Sequence, residues 1–138
     1  MLRPPQLDTL GLEPALRGQV DRLARNTGTS IDLQVAPMPA RAPAAVELAC
    51  FRIAQEAMTN AMRHARAGAI RVRVAADVDA LRLEVCDDGR GFDPACARGL
   101  GLLTMRERAQ QLGGSFSVGP GPGGGTCVRA TLPIAAPG

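Results

Sequence analysis

The chain has 138 residues, of which 46% are apolar and 21% are charged, and its formal net charge is +3 with a pI near 9.0. That length suits a single domain with one core, and no apolar run is long enough to cross a bilayer. Lysine, tyrosine and tryptophan are absent and the arginines are spread along the chain, so nucleic-acid binding is not expected despite the basic pI. The N-terminal residues carry no secretion signal, which predicts a cytoplasmic protein.

The first half of the chain predicts two helices with a strand between them. From Gly11 to Gly28, apolar residues recur with the i, i+4, i+8 spacing of an amphipathic helix that Gly28 ends. Residues 30–35 alternate as a strand, and residues 36–43 form a proline-rich loop. The longest helical pattern covers residues 44–65. Its apolar face comprises Val46, Cys50, Ile53, Ala57 and Ala61.

The second half predicts four strands and one helix. Residues 69–77 and 81–88 alternate as the two strands of a hairpin. A helix over residues 102–112 is closed by two glycines, and residues 115–120 and 126–134 form a last pair of strands. Such blocks of helices and antiparallel strands predict an α+β sandwich, in which one sheet carries its helices on one face.

The four cysteines are expected to be reduced thiols. Cys50, Cys86, Cys96 and Cys127 form no CxxC pair and lack the partner histidines of a zinc site. Cys50, Cys86 and Cys127 occupy apolar-periodic positions and are predicted to be buried. Cys96 lies in a glycine-flanked loop, where a cysteine can be exposed.

One stripe of the long helix carries three polar groups. Glu56, Asn60 and His64 are spaced i, i+4, i+8 and therefore share a face. A carboxylate, an amide and an imidazole in a row can hold a hard cation and phosphate oxygens beside it. The alternative is a solvated face, and the helix by itself favours that alternative because it also carries several arginines.

The segment DDGRGFD, residues 87–93, begins where the apolar alternation of a strand ends. Gly89 and Gly91 permit positive φ and a close approach of the backbone, and a buried Asp87 carboxylate beside them can accept a hydrogen bond from an exocyclic amine. The alternative is a hairpin turn, since Asp-Gly is a common turn signal. A turn does not account for the glycine cluster that follows.

That second cluster, GLGLLTMRER, lies immediately before a helix. Free backbone N–H groups and the helix dipole favour a phosphate near Gly99 and Gly101. The segment is not a dinucleotide fingerprint, because Thr104 stands where GxGxxG needs glycine. A P-loop is excluded because the chain has no lysine.

Four motifs stand in an order that resembles a known family. FRIAQEAMTNAMRHA, DDGRGFD, GLGLLTMRERA and GPGGGT look like the N box, G1 box, G2 box and terminal Gly-Thr motif of the GHKL ATPases. The likeness is greatest to the ATP-binding catalytic domain of bacterial two-component sensor histidine kinases. LRPPQLDTLGLEPALRGQV and the MRERA helix are similar to the subfamily whose regulators carry a helix-turn-helix output domain. The resemblance implies a Bergerat-type fold, with one mixed, mostly antiparallel sheet and a short ATP lid.

The resemblance implies that ATP and Mg²⁺ bind here. Asp87 would recognise the adenine amino group, while Gly89 and Gly91 would admit the base. Thr126 would support the contact that Asp87 makes.

At the phosphate end, the resemblance makes Glu56 and Asn60 the catalytic pair. Asn60 would supply an oxygen to Mg²⁺, and Glu56 occupies the acidic position of the N box. The remaining groups are expected near the phosphates or in the lid over residues 92–98; they are Arg63, His64, Gly99, Leu100 and Gly101.

The resemblance also implies partners. Histidine kinases phosphorylate a histidine on a two-helix dimerisation hairpin, and this sequence contains neither that hairpin nor its motif. Residues 1–11 resemble the linker from such a hairpin, residues 12–135 the catalytic domain and residues 136–138 a tail. We therefore expect γ-phosphoryl transfer from ATP to a histidine on a separate dimerisation domain, with a response regulator downstream. The isolated chain is expected to be monomeric and unable to autophosphorylate, and to be cytoplasmic or the cytoplasmic part of a membrane-bound kinase.

Two alternative functions stay open. One is a GHKL serine kinase that acts as an anti-sigma factor, although the LRPPQLDTLGL segment argues against it. The other is a module that binds a protein partner according to its nucleotide state, without turnover.

Overall fold

The computed structural model describes residues 5–63, 68–89, 101–121 and 124–134. Its elements are α1 (Pro5–Leu10), α2 (Leu12–Thr27), β1 (Ser30–Val35), α3 (Ala44–Arg63), β2 (Ala69–Ala76), β3 (Ala80–Asp87), α4 (Leu102–Gln111), β4 (Ser115–Pro120) and β5 (Thr126–Pro133). Every predicted helix and strand is present, with ends close to those expected; α1 is an additional short helix. Pro5 is the first residue of α1, a position where a missing N–H removes no bond within the helix. None of the described helices is both long enough and apolar enough to cross a bilayer.

The five strands form one sheet in the order β1-β2-β3-β5-β4. β1 and β2 pair in parallel, and the other three pairs are antiparallel. Because β5 lies between β3 and β4, the strand that ends at Asp87 is the direct neighbour of the strand that begins at Thr126. The prediction of a mixed, mostly antiparallel sheet is confirmed.

The helices pack on one face of the sheet. Alternate residues of β2 and β3 are buried there, and they are Ile70, Val72, Val74, Leu81, Leu83 and Val85. The helices α2, α3 and α4 contact the strands of the sheet. Arg71, Arg73 and Arg82 alternate with the buried residues and are exposed on the opposite face, as the period of two in a strand requires.

The long helix α3 lies at the centre of the core. Its predicted apolar face is buried throughout, from Val46 to Ala61. Burial raises the pKa of the Cys50 thiol to about 12, and the negative charge of Glu47 adds to that effect. This thiol therefore stays protonated at neutral pH.

The short helix α1 is attached to the rest of the fold through Arg41. The Nη2 group of Arg41 donates a hydrogen bond to the backbone carbonyl of Leu7 at 2.6 Å, and Leu7 itself is buried in the core. The same guanidinium pairs with the buried carboxylate of Glu47 on α3, with Nη2 and Oε1 3.1 Å apart. One side chain thus joins α1 to α3.

Cys86 and Cys127 form a disulfide, which corrects the prediction that all the cysteines are reduced thiols. The two residues are opposite each other in the β3–β5 ladder, and their Cα atoms are 4.1 Å apart. The pair was missed because the two cysteines are 41 positions apart along the chain, and only the sheet order brings their strands together. The predicted burial of Cys50, Cys86 and Cys127 is confirmed, whereas Cys96 lies outside the described residues.

Candidate functional site

A pocket lies between α3 and the adjacent ends of β3 and β5. It is lined by Ala57, Asn60, Ala61, Val85, Asp87, Leu102, Thr126 and Val128. The three polar members come from three different elements and converge on an otherwise apolar surface. The free volume enclosed by these residues, which we call the floor of the candidate site, is about 10 Å³, enough for about one water molecule.

Asp87, the last residue of β3, is half-buried and held by backbone donors. Its Oδ1 accepts hydrogen bonds from the N–H of Gly89 at 2.8 Å and from the N–H of Thr126 at 3.4 Å. Within the described residues its Oδ2 has no partner. Burial raises the pKa of Asp87; the two backbone hydrogen bonds oppose that rise and the charge of Asp88 adds to it. Oδ2 of Asp87 is thus placed to accept a hydrogen bond from a ligand in the pocket when the carboxyl group is ionised.

Asn60 and Thr126 line the same pocket as that carboxylate. Asn60 projects from α3 and is 8% exposed, and Thr126 at the start of β5 is 6% exposed. Both side chains can donate and accept hydrogen bonds. Polar side chains buried to this degree at the wall of an apolar pocket are positioned to bind a polar ligand.

Glu56 lies one turn before Asn60 on α3 and reaches the start of α4. Gly101, the residue before α4, has a φ of 68°, and a Cβ built on it would overlap the Glu56 carboxylate. The absence of a side chain at position 101 therefore lets the N box helix approach the glycine cluster. The predicted acidic residue and the predicted lid glycine are in contact.

Gly125 is a site residue that the sequence analysis did not single out. A Cβ built on it would overlap the backbone carbonyl of Asp87 and would lie 3.1 Å from Oδ1 of the same residue. The glycine run GPGGGT was the available signal, but its length did not indicate which glycine makes the close approach. The structure shows that the last glycine of the run packs against Asp87.

Asp88 is a second residue that the sequence analysis missed. Its Oδ1 accepts hydrogen bonds from the N–H groups of Gly68 and Ala69, both at 2.9 Å. These bonds fix the start of β2 against the end of β3. The two adjacent acids therefore differ in their contacts, because Asp87 lines the pocket and Asp88 holds the neighbouring backbone.

The other predicted site residues are only partly described. Arg63 is the exposed last residue of α3, and Gly89 donates to Asp87 as stated above. His64, Gly91, Gly99 and Leu100 lie outside the described residues. The structure thus brings Asn60, Asp87 and Thr126 together in one pocket, and the predicted lid falls outside the part of the chain that the structure describes.

The described residues suit a nucleotide better than a metal held by protein alone. No group of three or more histidine, cysteine or acidic side chains among them could hold a metal ion. A carboxylate at the floor of an apolar pocket can bind a base through an exocyclic amine, and the amide of Asn60 could supply one oxygen to a cation that is otherwise bound by phosphates. The chemistry of these side chains therefore suits a purine nucleotide with its cation.

Comparison with known proteins identifies the family. Residues 45–136 match the family described as "Histidine kinase-, DNA gyrase B-, and HSP90-like ATPase". The chain belongs to this family. The match covers the N box helix, the pocket strands and the glycine clusters, so the predicted GHKL-type ATPase domain is confirmed.

Two curated relatives are histidine kinases by name. The chain is 33% identical over 135 residues to "Signal transduction histidine-protein kinase/phosphatase DegS" of Brevibacillus brevis, a match that spans 96% of the chain and 35% of that protein. It is 39% identical over 143 residues to "Uncharacterized sensor-like histidine kinase" of Chloroflexus aurantiacus, over 96% of the chain and 24% of that protein. The chain is therefore similar to one domain of proteins that are named histidine kinases. It spans about a third or less of these relatives.

Solved structures show the same fold. The "Erythrobacter litoralis EL346 blue-light activated histidine kinase" superposes with a TM-score of 0.74 at 24% identity, over 89% of this chain and 45% of that one. The "ATP binding domain of PrrB from Mycobacterium Tuberculosis" superposes with a TM-score of 0.67 at 22% identity, over 89% of this chain and 93% of that one. The predicted Bergerat-type α+β fold is confirmed by these likenesses together with the sheet order.

Proposed function

We propose that this chain is the kinase domain of a sensor histidine kinase that transfers the γ-phosphoryl group of ATP to a histidine on a separate dimerisation domain. The observation that supports it most directly is the convergence of Asn60, Asp87 and Thr126 on one pocket, in a chain whose relatives are named histidine kinases. Phosphoryl transfer depends mainly on positioning and on neutralising charge. The N box and the glycine clusters supply groups for both.

The adenine end of the site would be formed by β3 and β5. Oδ2 of Asp87 would accept a hydrogen bond from the adenine amino group, while Gly89 and Thr126 hold Oδ1. Gly91 would admit the base beside Gly89. The apolar residues around Asp87, which include Val85, Leu102 and Val128, suit a purine ring.

The phosphate end would be formed by α3 and the start of α4. Asn60 would give its amide oxygen to Mg²⁺, and Glu56, which occupies the acidic position of the N box, would be the second catalytic residue beside it. The residues proposed to contact phosphate or to close the lid are Arg63, His64, Gly99, Leu100 and Gly101. The N–H groups at the start of α4 and its helix dipole favour a phosphate there.

The wider assembly is also part of this proposal. We assign residues 1–11 to the linker from a dimerisation hairpin and residues 12–135 to the catalytic domain, with a response regulator acting downstream in the cytoplasm. The contact between Arg41 and the carbonyl of Leu7 supports a linker that packs on the catalytic domain. We also propose that the chain belongs to the subfamily whose regulators carry a helix-turn-helix domain. The isolated domain would be monomeric, and we propose no nucleic-acid partner.

A labelling experiment tests this function. The chain is incubated with radiolabelled Mg·ATP alone and then with a histidine-containing dimerisation hairpin in trans. We expect no acid-labile phosphohistidine on the chain alone and weak labelling of the hairpin, since tethering normally raises the effective concentration of the acceptor. Asn60→Asp places a negative charge near the phosphates and should abolish the transfer. Acid-labile label on His64, or full transfer by Asn60→Asp, would contradict the assigned roles.

A further inference from the structure

The Cys86–Cys127 disulfide lies directly behind the two strand ends that form the pocket. Cys86 precedes Asp87 in β3, and Cys127 follows Thr126 in β5. Since side chains alternate along a strand, the two sulfur atoms lie on the sheet face opposite the pocket. A covalent bond thus joins the backbones that carry Asp87 and Thr126, one residue away from each.

The disulfide is closely covered by the loop that leads into β5. Cys86 is 5% exposed and Cys127 is 0% exposed. A Cβ built on Gly121 would lie 3.3 Å from Sγ of Cys127 and 3.2 Å from the backbone nitrogen of Thr126. The backbone at Gly121 therefore lies close to the sulfur of Cys127, and a larger separation of the two sulfurs would press on this loop.

The same loop reaches the pocket. The N–H of Gly121 donates a hydrogen bond to the carbonyl of Gly125 at 2.7 Å. Gly125 in turn packs against the backbone carbonyl of Asp87, as described above. A displacement that starts at the sulfur atoms therefore has a continuous path of contacts to the carboxylate at the floor of the pocket.

Access to the disulfide is from the side of Cys86. A surface groove of about 250 Å³ is lined by Ala69, Arg71, Cys86, Asp87 and Asp88, and Cys127 is not among its residues. Arg71 is opposite Cys86 in the β2–β3 ladder and places a cation beside it. That cation offsets part of the negative charge that Asp87 and Asp88 bring to the groove, so that a thiol reductant can approach the sulfur of Cys86.

We propose that Cys86–Cys127 is a redox-reactive site whose oxidation state sets the affinity of the adjacent pocket for adenine nucleotide. The identity of the ligand rests on the proposed function. A dithiol reductant attacks Sγ of Cys86, forming a mixed disulfide and releasing Cys127 as a thiolate that takes up a proton. The second thiol of the reductant then displaces Cys86, which leaves as a thiolate and takes up a proton. The protein gains two electrons and two protons, and the reductant becomes a disulfide.

The disulfide form binds nucleotide more tightly. Two thiols need more space than a disulfide, because sulfur atoms that are no longer bonded separate to van der Waals contact. That separation pushes on the covering loop and on the strand ends. The hydrogen bond from the N–H of Thr126 to Oδ1 of Asp87, already 3.4 Å long, is the contact that it weakens.

The test compares two redox states of the same chain. A Cys96→Ser background is oxidised or treated with dithiothreitol, thiols are counted by alkylation and mass spectrometry, and the dissociation constant for Mg·ATP is measured by calorimetry. We expect two more free thiols after reduction and an affinity about five- to tenfold lower, at the low end of ordinary coupling between sites. By reciprocity, saturating Mg·ATP should make the disulfide harder to reduce by the same factor.

Two variants serve as controls. Cys86→Ala/Cys127→Ala should bind Mg·ATP with one affinity under both treatments, whereas Cys50→Ala, which removes the buried free thiol, should keep the full difference. Equal affinities in two states that differ by two thiols would overturn the redox proposal, and so would failure of the disulfide to form on oxidation. Absence of Mg·ATP binding in both states would instead refute the proposed function.

Discussion

The carboxylate of Glu56 occupies the space in which a side chain at Gly101 would lie. Gly101 also has a φ of 68°, a conformation in which side-chain-bearing residues are rare. The contact joins the N box helix to the start of α4, which are the two elements proposed to hold the phosphates. A glycine is thus required at position 101 both by the backbone conformation and by the proposed catalytic carboxylate.

Gly101→Ala should therefore reduce phosphoryl transfer by displacing the flexible end of Glu56. Gly113→Ala is the matched control, because Gly113 has a φ of 79° and open space around its Cβ position. Each substitution should cost about 1–2 kcal/mol of folding stability through the left-handed backbone. Labelling of the dimerisation hairpin should fall at least tenfold, about 1.4 kcal/mol, for Gly101→Ala alone. Equal activity of the two variants would show that the position of Glu56 does not matter.

Gly125→Ala should destabilise both the fold and the pocket. The added alanine Cβ would overlap the backbone carbonyl of Asp87, which cannot rotate away as a side chain can. We therefore expect the unfolding free energy measured in urea to fall by about 1–3 kcal/mol, the usual cost of overpacking. Gly119→Ala on the neighbouring strand β4 is the control, since a Cβ there meets open space. A stable Gly125→Ala variant with normal Mg·ATP affinity would mean that the loop can move away from Asp87.

Asp87→Asn should weaken ATP binding by about 1.5–3 kcal/mol, the range for hydrogen bonds to charged groups. The amide keeps the shape of the carboxylate, but its NH₂ group would face the adenine amine. GTP should bind poorly to the wild-type chain, because a carbonyl replaces that amine. Asp88→Asn is the control and should bind ATP nearly normally, since an amide oxygen can still accept from Gly68 and Ala69. Equal calorimetric affinities for ATP and GTP would refute the role of Asp87.

The affinity for ATP should also depend on the ionisation of Asp87. Burial raises the pKa of this carboxyl above its ordinary value of 3.8, so protonation and loss of the acceptor begin at a higher pH than for an exposed aspartate. The protonated form is favoured in the folded state; the contribution of Asp87 to folding stability is therefore greatest at low pH and is lost as the pH rises through the raised pKa. Lowering the pH should therefore weaken ATP binding, whereas the protonation of Asp87 should not destabilise the fold.

The measurement is the ratio of the ATP dissociation constants of Asp87→Asn and the wild type between about pH 4 and pH 8, a range that begins just above the ordinary aspartate pKa and so covers raised values. Taking the ratio cancels the protonation of ATP itself. The ratio should fall towards one as the pH is lowered. A ratio that stays constant over the whole range would contradict ionic recognition by Asp87.

Gln19→Met should stabilise the protein. Gln19 on α2 is 1% exposed, and within the described residues neither its Nε2 nor its Oε1 has a hydrogen-bond partner. Since leaving a buried polar group unpaired costs about 1–3 kcal/mol, replacing the amide with an apolar group of similar length should raise the unfolding free energy by about 1 kcal/mol or more. Gln110→Met on the exposed face of α4 should change it by less than about 0.5 kcal/mol. Destabilisation by Gln19→Met in urea unfolding would show that the amide is hydrogen-bonded in solution.

Much of the local structure follows from the sequence because its causes are local. The spacing of Val46, Cys50 and Ile53 on α3 and the alternation along β2 report which residues face the core, and both patterns are confirmed by burial. Gly28 ends α2 in the left-handed conformation, with a φ of 73°, as a C-terminal glycine predicts. The N box stripe and the G1 box likewise identify Asn60 and Asp87 as candidates before any contact between them is known.

What only the tertiary structure decided is which distant segments meet. Chain order does not reveal that β5 lies between β3 and β4, and that order is what sets Thr126 beside Asp87 and Cys86 opposite Cys127. Nor does a run of glycines indicate that Gly125 is the one that packs on the Asp87 carbonyl. The periodicity of the sequence shows which face of each helix or strand is buried. Which other elements pack against that face depends on how all the elements pack around one core. The sequence alone therefore determined the elements and the candidate groups, and the packing of the sheet determined the pocket and its disulfide.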